Sequence, residues 1–134
     1  MANEAAEALE NIEPELKTSP QVIAVRVGLY ESLSRWEEMV MMASLMVKML
    51  PDEPKWWIKL ATGTRRHNSI EAAIKILLEA ELKHPNDATI KYHLACCCAR
   101  LGKMDRARHK LEAAIELNPA LRKQAIDEPD LKGL

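Results

Sequence analysis

The sequence predicts an all-α protein in which one helical pair is repeated along the chain. Three observations predict it. Pro51, Pro85 and Pro119 stand 34 residues apart, and each closes a run of the same kind: VKMLPDEP, ELKHPNDA and IELNPALR. Between them, apolar residues recur three and four apart, the spacing of one face of a helix. Ala, Leu, Glu, Lys and Met are abundant, whereas alternating β-branched and aromatic runs bounded by turn residues are missing, so strands have no support.

Taken in order, residues 2–16 place Ala5, Leu9, Ile12 and Leu16 at helical spacing among acids. They read as an N-terminal acidic capping helix within 1–19, which Pro14 would shorten. Three 34-residue units follow, 20–53, 54–87 and 88–121, each holding two amphipathic helices. The periodicity predicts helices near 21–33, 37–49, 54–66, 70–83, 88–101 and 104–117. Ser34, Asn68 and Gly102 mark the turn inside each pair. The three spaced prolines end the second helix of each unit. Residues 122–134 continue as a short helix carrying Ala125 and Ile126 after Leu121, then a tail broken at Pro129.

The registers agree beyond the prolines. One reads Trp57-x2-Leu60-Ala61-x2-Thr64, then Ala73-x3-Leu77, Ala80 and Pro85. The next reads Lys91-x2-Leu94-Ala95-x2-Cys98, then Ala107-x3-Leu111, Ala114 and Pro119. The first is weaker, with Ile23, Val27 and Tyr30, then Met39, Ala43, Met46 and Pro51. This pattern resembles the tetratricopeptide repeat (TPR), whose signature is W-x2-LG-x2-Y, A-x3-F, A and P at the same spacing. The resemblance covers residues 20–121. It implies a right-handed superhelix, an α-solenoid of antiparallel helix pairs with capping helices at both ends, because one unit cannot bury its apolar face alone. In such stacks small residues let helices cross closely, here Ala61, Ala73, Ala80, Ala95, Ala107 and Ala114.

Formal net charge is −1, so no global charge argues for nucleic acid or a membrane. Locally the charge is uneven: residues 1–19 carry five acids and one base, residues 88–121 six bases and three acids. No stretch is apolar and long enough to span a bilayer, and the acidic start is unlike a signal peptide. The three adjacent thiols Cys96, Cys97 and Cys98 make no disulfide framework, which suits the cytoplasm.

Catalytic motifs are missing: there is no G-x-S-x-G, no phosphate-binding glycine loop, no H-E-x-x-H and no C-x-x-C, so a non-catalytic protein is expected. A metal is not expected either. His93 with Cys96 or Cys97 supplies two ligands where a structural zinc takes four, and successive helical cysteines fan apart by about 100°. No cofactor is expected.

In TPR stacks the first helix of each unit lines the concave face, where family members commonly bind peptides. The resemblance carries this face onto Gln21, Ala24, Val25, Gly28 and Ser32 in the first unit. In the second it falls on Lys55, Lys59, Thr62, Arg65 and Arg66. In the third it falls on Thr89, Tyr92, His93, Cys96 and Arg100, with Cys96 a partly exposed thiol. The candidate site is therefore basic over its last two thirds, and charge on a concave wall can steer an acidic partner. The expectation is a protein-interaction scaffold that holds an acidic peptide or protein segment. Two alternatives are a secretion-type chaperone and a unit self-associating through Met41, Met42 and Trp56. The acidic N-terminal segment could itself pair with a basic face of another copy. A TPR subclass grips chaperone C-termini with a clamp of Lys, Asn, Asn, Lys and Arg. Ala24, Gly28, Lys59, Thr89 and His93 stand at those positions, and none matches, so that partner is not expected.

Overall fold

The computed structural model describes Glu4, Glu7 and residues 19–134. The predicted N-terminal capping helix therefore lies almost wholly outside the described residues. The rest is helical, in the order α1 (Pro20–Ser32), α2 (Trp36–Met49), α3 (Pro54–His67), α4 (Ile70–Lys83), α5 (Ala88–Arg100), α6 (Met104–Leu117) and α7 (Leu121–Asp127), then a single 3-10 turn, Pro129–Leu131. No strand occurs among the described residues.

Local chemistry explains the helix ends. α1 and α3 begin on Pro20 and Pro54, where the missing N–H costs nothing and the fixed φ suits a helix. The Ser19 hydroxyl accepts from the Val22 N–H, and the Asp87 carboxylate from the Ile90 N–H at 2.9 Å, satisfying donors that have no partner inside the helix. α1 and α5 close alike. Arg35 N–H donates to Tyr30 O and Ser34 N–H to Glu31 O; Lys103 N–H donates to Cys98 O and Gly102 N–H to Ala99 O. These are Schellman closures, which put the residue after the cap in the left-handed region: Ser34 at φ 56° and Gly102 at φ 76°. Asn68 caps α3 without entering it, at φ −121°.

The chain divides into two compact units, Met1–Ser69 and Ile70–Leu134. In the first, α2 packs on both α1 and α3. Its core joins Ile23, Val27, Tyr30, Met39, Ala43, Met46 and Trp56. Gly63 permits the close crossing of α2 and α3, since a Cβ placed there would lie 3.0 Å from Val40 Cγ2 and 3.4 Å from Met39 Sδ. In the second unit α5 packs on α4 and α6, and the turn 129–131 lies against α5. Its core joins Tyr92, Ala95, Cys96, Leu111, Ala114, Leu121 and Leu131. The six alanines predicted at helix crossings are all buried. Of the apolar residues on α7, Leu121 is buried and Ile126 is 73% exposed.

Candidate functional site

Each carried-over residue takes its place from the helix that bears it. Lys55, Lys59, Thr62, Arg65 and Arg66 lie on α3, in the first compact unit. The Lys59 ammonium is 2.6 Å from Glu31 Oε1 of α1, so its charge is already answered by a carboxylate within the same unit. Sequence reading missed Glu31, although an acid beside a concave-face position was there to be seen. Lys55 Nζ sits 4.7 Å from the centre of the Trp56 ring, and the Arg66 guanidinium 5.6 Å from that of Trp36, both within cation–π reach. Arg65, Arg66 and His67 fill the last turn of α3, where cations are favoured by the helix dipole. Thr62 turns its hydroxyl back onto its own helix, donating to Ile58 O at 2.9 Å. On α1, Val25, Gly28, Gln21 and Ser32 are exposed, whereas Ala24 packs against the core.

Thr89, Tyr92, His93, Cys96 and Arg100 lie on α5, in the second unit. Here the structure changes the picture. Tyr92 and Cys96 are 3% and 6% exposed, not open to a groove, because the chain's own C-terminal turn covers them. Leu131 is buried in the cluster with Tyr92 and Cys96, and Asp130 Oδ1 stands 3.6 Å from Arg100 Nη1. The His93 ring meets Tyr92 edge-on at 6.2 Å. The Tyr92 hydroxyl is buried without a hydrogen-bond partner. Its burial, with the nearby Cys96, Glu128 and Asp130, pushes the phenol up to about 12. Asp130 and Leu131 were not foreseen; the one available signal was a large apolar residue set in a polar tail.

The other two thiols are buried as well, and burial pushes the Cys98 thiol up against the opposing pull of Arg106, Lys103 and Lys110. Among the described residues no group of His, Cys, Asp and Glu is placed to hold a metal ion. Of the residues considered for self-association, Trp56 is buried with its Nε1–H donating to Glu53 at 2.7 Å, and Met42 packs against the core. Met41 is exposed, in line with Leu45 and Met49 on the same face of α2. Trp57, in the place of the signature tryptophan, is buried and donates to Pro51 O at 3.0 Å. In the next unit that place belongs to Lys91, whose ammonium reaches Glu81 of α4 at 2.8 Å.

No protein-family model matches the chain, and no curated protein matches it in sequence. Solved structures do match in fold. "MamA MSR-1 C2" superposes with a TM-score of 0.75 at 17% identity, over 89% of this chain and 68% of that one. "MamA 41-end from Desulfovibrio magneticus RS-1" superposes at 0.71 and 16% identity, over 98% and 78%. The chain has the all-α fold of a TPR array. These likenesses concern the fold alone. No helix among the described residues is long and apolar enough to cross a membrane.

Proposed function

We propose that this protein is a non-catalytic interaction scaffold that holds an acidic peptide or protein segment on the first helices of its repeats. TPR arrays offer such a face, and fold alone does not choose the ligand. The observation that carries the choice is local. Arg100, a base at a concave-face position, faces the carboxylate of Asp130 while the adjacent Leu131 is buried against the same helix. Lys59 likewise engages a carboxylate, that of Glu31. Both helices thus already carry acid-to-base pairings of the kind an acidic partner would make.

The test compares capture from native extract by wild type and by a Lys59→Glu, Arg66→Glu, Arg100→Glu variant whose fold is verified by circular dichroism. Expected is a partner retained by wild type, eluted by salt, and lost by the folded variant. Partners held equally by both would overturn the acidic-segment reading. A second reading, self-association through α2, is favoured by the exposed row Met41, Leu45 and Met49. A Met41→Ser, Leu45→Ser pair would then abolish any concentration-dependent sedimentation. Unchanged sedimentation of the pair would dismiss that reading.

A further inference from the structure

The turn seated on α5 is a short motif in which each of residues 128–131 has a task. The Glu128 carboxylate accepts from the Asp130 N–H at 3.4 Å and caps the turn. Pro129 starts it, and the Leu131 N–H donates back to Glu128 O at 3.1 Å. Asp130 faces Arg100, Leu131 enters the cluster of Tyr92 and Cys96, and Lys132 follows. The sequence carries the same string once more. Glu13-Pro14-Glu15-Leu16-Lys17 repeats Glu128-Pro129-Asp130-Leu131-Lys132 with a single change, Glu for Asp. That change adds one methylene to the carboxylate. The Asp130 to Arg100 distance is 3.6 Å, longer than a charged hydrogen bond, so a longer acid can close the gap.

The seat is also imperfectly filled by its present occupant. The Tyr92 hydroxyl beneath it has no partner, which costs about 1–3 kcal/mol for a buried polar group. A segment that closes the ion pair better can therefore compete with it.

We propose that the face of α5 formed by Tyr92, Cys96 and Arg100 is a seat for the E-P-acid-L-K motif, held in each chain by its own residues 128–132 and open, on release of that turn, to residues 13–17 of a second copy. This rests on the reading that α5 takes acidic segments. Charge favours the exchange, because residues 1–19 are acidic and residues 88–121 basic. The tethered turn is present at high effective concentration, so the wild-type chain is mostly closed.

The test uses two labelled peptides, residues 9–19 and residues 124–134, against the full chain and its Asp130→Ala, Leu131→Ala variant, each verified by circular dichroism. Both peptides are expected to bind the variant at least about tenfold more tightly than wild type, because the competent fraction limits apparent affinity. Arg100→Glu added to that variant abolishes binding, as does Leu16→Asp in the first peptide. In sedimentation the variant self-associates, and further change of Glu15→Lys with Leu16→Asp restores the monomer. If neither peptide binds, both this inference and the acidic-segment reading of α5 are wrong. If only 124–134 binds, the inference alone fails. A variant that binds 9–19 but stays monomeric at every concentration excludes the second copy as donor.

Discussion

Ser34 and Gly102 hold equivalent places after α1 and α5, each closed by the same pair of backbone bonds. Only one of them suits its dihedral. A left-handed backbone sets the Cβ of an L-residue against the neighbouring carbonyl, at about 1–2 kcal/mol, and glycine escapes that cost. Gly102→Ala is therefore expected to lower stability by about 1 kcal/mol. Ser34→Gly should raise it, by less, because glycine adds freedom to the unfolded chain. Urea midpoints of the two variants, read at equal slope, check both signs. The placement of both turns was legible from local chemistry alone. The exposures of Tyr92 and Cys96 were not. The resemblance to TPR units put them on an open face, and no local pattern tells which part of the chain returns to cover them.

At the scale of elements, the six repeat helices begin and end within one residue of where periodicity put them. The reason is that their ends are set by nearby residues: Pro20, Pro54, Ser19, Asp87 and Gly102 act within three or four positions of the boundary they fix. The turn 129–131 had no comparable signal. Three residues are too few to show a period, and the burial of Leu131 arises from α5, some thirty residues earlier in the chain. Gly63 is a similar case. In sequence it is a helix-weakening residue, and only the approach of α2 shows that its missing side chain is needed. Gly63→Leu is expected to destabilise the chain by about 1–3 kcal/mol through overpacking against Met39 and Val40. Gly63→Ala should be milder, since only the Val40 side chain, 3.0 Å from the added Cβ, has to shift and alanine favours the helix. Thermal melts of the two variants would show the difference.

At the scale of the whole molecule, Glu81 couples stability to acid. Its carboxylate, 15% exposed, receives Lys110 at 2.6 Å and Lys91 at 2.8 Å, joining α4, α5 and α6. Burial pulls its pKa upward, but the hydrogen bonds and charges of Lys110 and Lys91 outweigh that and hold it below the ordinary value. A depressed carboxylate takes up a proton on unfolding. Its stabilisation is present above the ordinary glutamate value of about 4.3 and is lost as pH falls through the lower folded value. Glu81→Gln should cost about 1–2 kcal/mol at pH 7 and flatten the acid limb of the stability profile, a difference that vanishes at the lowest pH. Equal costs at pH 7 and at the acid end would contradict this account. The distribution of aromatic and sulfur chemistry has a practical consequence. Trp36, Trp56 and Trp57 all belong to the first compact unit, and Cys96, Cys97 and Cys98 to the second. Indole emission and thiol labelling are thus native reporters of separate regions. A denaturant series followed by both assigns an opening event to one region or the other, with no added dye and no engineered residue.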